Sequence, residues 1–237
     1  MVKKNALVMI KLEAPAKQEA EWNNWYNNKH ISDRLTIPGF TSARRFIHVE
    51  GGAPEEIAIK EAKYLSLYDL TSSSVLKNKL YTKQREEEAS LPSDSFEAIT
   101  LKLPKFARGV YEQLYPEQGE YTPPSTKFVF VMGHEVPLNR HSEFNVWYNT
   151  EHIPAVLGVP GFVNARRFRL VEREFPPILG SGGALPQYLT LYDIESEKTL
   201  RSEAFRKGSA SPWSTWIRSW FTRKMCALYT RIYPEVT

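Results

Sequence analysis

Residues 21–46 read EWNNWYNNKHISDRLTIPGFTSARRF, and residues 143–168 read EFNVWYNTEHIPAVLGVPGFVNARRF. Aligned without a gap at an offset of 122 (152 − 30), about fifteen of the twenty-six positions are identical. Chance does not give such agreement, so the fold has to build one unit twice. The match continues downstream, where Tyr64-Leu65-Ser66-Leu67-Tyr68-Asp69-Leu70 repeats as Tyr188-Leu189-Thr190-Leu191-Tyr192-Asp193-Ile194. Each copy closes alike, from Val110-Tyr111 to Tyr115-Pro116-Glu117 and from Leu228-Tyr229 to Tyr233-Pro234-Glu235. The division read from this is a first repeat over 1–117, a short Pro-containing linker over 118–127 and a second repeat over 128–237.

Within each copy the periodicity alternates. Ala6–Leu12 and Phe128–His134 are short apolar runs of strand type. Trp22, Tyr26 and His30, like Phe144, Tyr148 and His152, recur at i, i+4 and i+8, which predicts one face of a helix over 17–35 and over 139–157. Pro38-Gly39 and Pro160-Gly161 break the chain, and strands follow from Phe40 and Phe162, then from Tyr64 and Tyr188. A second helical segment, near 73–88 and 197–207, precedes a shorter irregular region and a closing strand. The order β-α-β-β-α-β, twice, reads as an α+β protein of two ferredoxin-like units.

Such a unit covers one sheet face with helices and leaves the other bare. A second copy supplies the cover, so two sheets pack face to face into a barrel and enclose a cavity. Tyr64, Tyr68, Tyr188 and Tyr192 alternate with Leu65, Leu67, Leu189 and Leu191, so one set should face the helices and the other the barrel interior.

The totals restrict the function. The chain has 237 residues, a net charge of +4 and Lys and Arg scattered among acids, which does not suit a nucleic-acid binder. Only the stretch from Arg201 to Arg231 is loosely basic. A single cysteine, Cys226, excludes an internal disulfide framework and a cysteine-based zinc cluster, and reads as a buried thiol. The early apolar run Ala6–Ile10 is too short for a signal peptide and reads as a strand. No apolar stretch approaches membrane-spanning length, so the reading is a cytoplasmic protein without membrane contact. No His/carboxylate spacing of a metal site and no phosphate loop is present; the glycine-rich 178–183 reads as a connector.

Trp-Tyr-Asn followed by His-Ile-Pro, then Pro-Gly-Phe and an Arg-Arg-Phe strand, resembles the EthD-like branch of the dimeric α+β barrel superfamily. His152-Ile153-Pro154 matches that pattern in full, whereas His30-Ile31-Ser32 lacks the proline. The resemblance implies a covalently fused version of what is usually a homodimer. It also implies a range of activities, from polyketide cyclases and anthrone-type monooxygenases to decarboxylases, muconolactone isomerases and haem enzymes. Many of these use no cofactor and put a His and a Tyr to acid–base work.

His152 and His30 are accordingly the first catalytic candidates, each one helical turn from Tyr148 or Tyr26, whose phenol would orient it or donate to an oxyanion. A structural imidazole, bonded to a strand carbonyl, is the competing reading. Arg166 and Arg44 would anchor a carboxylate or phenolate, or else form ion pairs between the copies with residues such as Asp69 and Asp193. Each is expected on one strand face with a phenylalanine pair, Phe162/Phe168 or Phe40/Phe46. Trp147 and Trp25 are core residues or an aromatic lid, and Tyr192 and Tyr68 complete the lining. His134 stands where the first copy has Leu12, so it would join a site unique to the second copy.

The expected function is cofactor-independent proton abstraction and return (lyase, cyclase, decarboxylase or isomerase) on a small apolar aromatic or polyketide-like substrate. The alternatives are a haem enzyme using His30 or His152 as axial ligand, and a non-catalytic small-molecule binder. Further homo-oligomerisation stays open.

Overall fold

The computed structural model describes residues 4–117, 119, 121–174, 185–208 and 210–236, with backbone alone at 173 and 174. The glycine-rich 178–183 and parts of the 118–127 linker lie outside the described residues. In the first half, β1 (Ala6–Leu12) leads to α1 (Glu19–Trp25), a π-helical turn (Tyr26–His30) and α2 (Ile31–Leu35). Then come β2 (Phe40–His48), β3 (Tyr64–Leu70), a 3-10 turn (Ser73–Lys77), α3 (Lys79–Ala89), α4 (Phe96–Thr100) and β4 (Ala107–Tyr115). The second half repeats this with β5 (Phe128–Glu135), α5 (His141–Trp147), a π turn (Tyr148–His152), α6 (Ile153–Leu157), β6 (Phe162–Glu174) and β7 (Tyr188–Ile194). It ends with a 3-10 turn (Glu197–Arg201), α7 (Glu203–Gly208), α8 (Pro212–Arg218) and β8 (Thr222–Tyr233).

All eight strands are antiparallel and close into one barrel in the order β1-β3-β2-β8-β5-β7-β6-β4. Each half contributes four neighbouring strands, and the halves join through β2·β8 and β4·β6. Closure leaves no free sheet edge, which removes the exposed donors and acceptors that a half sheet would present. Every residue of β3 and of β7 is buried, as sheets covered on both faces require. Leu65, Leu67, Leu189 and Leu191 point into the barrel with Phe46, Phe168, Met225 and Tyr229. Tyr64, Tyr68, Tyr188 and Tyr192 point the other way, into the two helix–sheet cores.

The barrel axis is filled by those side chains, as expected when eight strands close. The expected enclosure between the sheets is therefore a packed core. Two cavities lie instead between helices and sheet, one in each half. The helix ends follow ordinary capping: the side chains of Asn78, Ser95 and Ser211 accept from the N–H groups of Leu80, Ala98 and Ser214. Gly39 and Gly161 turn the chain at φ 100° and 95°, a region that disfavours a side chain.

The expected pairing of each arginine with two phenylalanines on one face fails. Pairing registers shift between Phe40 and Ser42 and between Phe162 and Asn164. A bulge inserts one residue and flips what precedes it. Phe40 and Phe162 thus join the helix-side cores, while Phe46 and Phe168 stay inside the barrel with Arg44 and Arg166.

Candidate functional site

The helix expected over Tyr26–His30 and Tyr148–His152 widens there by one residue. The N–H of Ile31 donates to the carbonyl of Tyr26, and that of Ile153 to the carbonyl of Tyr148, each across five residues. Single π turns of this kind concentrate at functional sites. Each turn carries its histidine against its tyrosine, with ring centroids 4.8 Å apart in both halves. The tyrosines meet their strand partners in turn: the hydroxyl of Tyr68 donates to that of Tyr26, and Tyr192 to Tyr148, both at 3.3 Å.

Behind each pair sits the second arginine of the Arg-Arg-Phe strand. Arg45 donates to Asn27 and Asn23 at 2.6 and 2.9 Å, with its guanidinium 4.1 Å from the centre of the Tyr26 ring. Arg167 donates to Asn149 and Asn145 at 2.5 and 2.9 Å, 4.2 Å from the Tyr148 ring. The helix asparagines thus fix a buried cation beneath each tyrosine, a role invisible in the sequence because the partners are eighteen or more residues apart.

Arg44 and Arg166 lie elsewhere. They point into one end of the barrel and pair across the halves, Arg44 with Asp193 at 2.7 Å and Arg166 with Asp69 at 2.6 Å. Tyr121, from the segment joining the halves, lays its ring 3.3 Å from the Arg166 guanidinium. The arginines proposed as substrate anchors are therefore separated from the histidine cavities, because neighbouring strand residues face opposite ways.

The first-half cavity is about 100 Å³ and includes Tyr26, His30, Tyr68, Arg34, Glu88 and Arg108. Its polar groups are engaged with one another. Arg34 donates to Gln84 at 2.8 Å and Glu88 at 2.6 Å, Arg108 donates to Tyr81 at 3.0 Å, and Trp22 donates to Thr100 at 2.9 Å. His30 lies 3.9 Å from Glu88. Burial first, then Arg34 and Arg45, keep His30 well below the usual imidazole range. Trp25 packs 5.2 Å from His30 in the partly buried rim of this core.

The second-half cavity is about 210 Å³. It gathers His152, Tyr148, Tyr192, Trp147, His134, Arg218 and Arg223 with apolar walls from Phe130, Met132, Phe205 and Phe221. Ile57, from the β2–β3 segment of the first half, closes part of the wall, and that segment is held by Val49 and Ile59 N–H groups donating to Leu228 and Cys226 carbonyls. His152 stacks on Trp147 at 4.7 Å and 22°, and its Nδ1 is buried with no hydrogen-bond partner among the described residues. Burial, then Arg218 and Arg167, lowers its pKa to about 3. Burial likewise raises Tyr148, and raises Tyr192 well above the ordinary phenol. Near neutrality the cavity thus holds two neutral imidazoles, His152 and His134, and two protonated phenols.

His134 occupies this second cavity, at 2 % exposure, where the first half has Leu12. Arg218, Arg223 and Ile57 were not singled out individually from the sequence; the loose basic stretch from Arg201 to Arg231 was the one available signal. Cys226 is buried in the same core, its thiol pushed up to about 12. Among the described residues no group of three His, Cys, Asp or Glu could hold a metal, and no helix is long and apolar enough to cross a membrane.

The sequence matches no protein-family model and no curated protein. Solved structures do match. An anthrone oxidase-like protein aligns with TM-score 0.60 at 12% identity, covering 98% of this chain and 92% of its own. A candidate monooxygenase from Fusobacterium nucleatum subsp. nucleatum aligns with TM-score 0.60 at 8% identity, covering 98% and 94%. A chlorite dismutase from Candidatus Nitrospira defluvii aligns with TM-score 0.51 at 8% identity, covering 98% and 92%. The likeness extends over nearly the whole chain and is one of fold: the protein is an α+β barrel like these.

Proposed function

We propose that the second-half cavity is the active site of a cofactor-independent enzyme that abstracts and returns a proton on a small aromatic substrate. The reaction class is that of lyases, cyclases, decarboxylases and isomerases, in an EthD-like chain that arose by duplication and fusion. His152 is the base: its Nδ1 is buried without a hydrogen-bond partner among the described residues in a side chain that lines the cavity, and this observation carries the reading. The imidazole is neutral near pH 7 and so able to accept a proton from carbon and return it, while burial, Arg218 and Arg167 weaken it as a base. The Tyr148–Tyr192 hydroxyl pair donates to the oxygen on which charge develops, and Arg167 beneath Tyr148 favours that charge. His30 and Tyr26 form a smaller counterpart whose polar groups are already engaged.

Size limits the substrate. A dry cavity of roughly 150 Å³ accepts benzene, so about 210 Å³ suits one substituted ring. Against haem, the two histidine cavities, about 100 and 210 Å³, are smaller than the roughly 300–1,000 Å³ of drug-sized ligand sites, which favours the cofactor-free reading. No axial-ligand role is assigned to His30 or His152.

Solvent deuterium exchange tests the reading. Phenylpyruvate and phenylacetone carry one ring and an enolisable C–H. Incubated in deuterium oxide with the protein, at least one should exchange faster than in buffer, as read by proton NMR. His152→Gln should slow that exchange by about a hundredfold or more. Exchange untouched by His152→Gln, or thermal stabilisation by these compounds with no exchange at all, overturns the reading, the latter in favour of a carrier.

A further inference from the structure

The two cavities differ in what their polar groups lack. In the first, acids offset most of the bases: two carboxylates, Glu88 and Glu97, share the lining with three arginines, Arg34, Arg85 and Arg108. Among the described residues, no side-chain atom lining it is buried without a partner. In the second, the described lining contains Arg218 and Arg223 and no carboxylate. Three of its buried atoms, Nε of Arg223 and Nδ1 of His134 and of His152, have no hydrogen-bond partner among the described residues. Buried polar atoms left unmatched are costly, and an acceptor entering from outside would match Nε of Arg223 and Nδ1 of His134.

The placement is specific to this half. Arg223 on β8 lies directly opposite His134 on β5 in the strand pairing. The closing strands of the two halves align at an offset of 118 (229 − 111), which makes Lys105 the counterpart of Arg223. Lys105 is turned to Glu13 at 2.6 Å and does not line the first cavity. The same offset puts Thr100, bonded to Trp22, where the second half has Arg218.

We infer that the second cavity is an anion site, recognising a single-ring aromatic substrate through a carboxylate or phenolate held by Arg223, with His134 as second donor and Arg218 adding charge. This deepens the proposed proton-transfer function and rests on its choice of cavity. An anion there would also offset the Arg218 and Arg167 charges that, after burial, depress His152, so the base gains strength when the substrate is bound. Fully desolvated, an Arg–carboxylate contact is stronger than its neutral counterpart and directional.

Benzoate and benzamide share size and shape and differ in charge, so their binding by calorimetry isolates the inference. Benzoate should bind about tenfold tighter or more, the difference between a charged and a neutral hydrogen bond. Arg223→Met should remove most of that preference, Arg223→Lys should retain part of it, and added salt should weaken benzoate alone. Equal affinity for the two compounds, or a preference undiminished in Arg223→Met, overturns the inference. Should Arg223→Met not fold by circular dichroism, the wild-type ratio and Arg223→Lys decide. Benzoate preference without deuterium exchange would sink the proposed reaction and leave the anion site standing; exchange without the preference would do the reverse.

Discussion

Asp193→Asn is the sharpest probe of the barrel. Asp193 and Arg44 are each 1 % exposed, and the pair they form at 2.7 Å belongs to both halves at once. Tyr121 and Asn164 also donate to Asp193, each at 3.3 Å. Burial opposes the charge on Arg44, but Asp193, Tyr121 and Asp69 outweigh it and keep the guanidinium charged. Neutralising Asp193 at constant shape leaves that cation without its counter-charge. Breaking a buried pair on one side costs about 3–5 kcal/mol. At about 2–4 °C per kcal/mol for a domain of this size, the melting temperature should fall by roughly 6–20 °C. Calorimetry at neutral pH reads this directly. Two controls frame it: Glu203→Gln, in a pair exposed by 69% or more, should change little. The double variant Arg44→Met/Asp193→Leu should recover most of the loss, since apolar residues of similar volume replace buried pairs well. If Asp193→Asn loses no more than Glu203→Gln, water reaches the pair and the barrel end is not the dry interior described above.

Acid should act through the histidines first. His30 and His134 sit well below the usual range and His152 near 3, all chiefly by burial. The unfolded chain therefore takes up protons from about pH 6.5 downward that the folded one refuses. Stability is complete above that value and declines as pH falls toward 3, so urea midpoints should drop through this window, less steeply in His152→Gln. Below the ordinary carboxylate range Asp69 adds to the loss: burial raises its pKa, but Arg166 and Arg44 outweigh that and hold it low. Gly161→Ala should destabilise by more than about 1–2 kcal/mol, the backbone cost alone, because its Cβ would lie 2.3 Å from Thr199 Oγ1. Gly51→Ala, with open space around its Cβ, should cost only the backbone part, as compared by urea denaturation.

The sequence made much of this fold legible because repetition and alternation are local properties. The Tyr/Leu alternation of 64–68 and 188–192 assigns both faces of a strand from five residues. Bulges are not visible this way: one extra residue at Thr41 or Val163 moves Phe40 and Phe162 to the other side with no change in composition. The π turn is similarly silent, since Tyr26 and His30 have the spacing of an ordinary helix. His134 stood out because the second copy broke the pattern of the first. Arg218 and Arg223 did not, since they come from the region where the copies agree least and meet His152 only in three dimensions. Arg44 and Arg166 were placed on two readings, and only the partner strand could separate them.

The β2–β3 segment that brings Ile57 to the wall of the other half's cavity makes that chamber joint property. A chain carrying both halves is free of the symmetry that binds two identical subunits, where any change in one chamber is copied into the other. Here one chamber can lose its carboxylates while the other keeps them, and the shape of one is tuned by residues encoded in the other. Likeness of fold between the two ends of such a chain need not carry likeness of function.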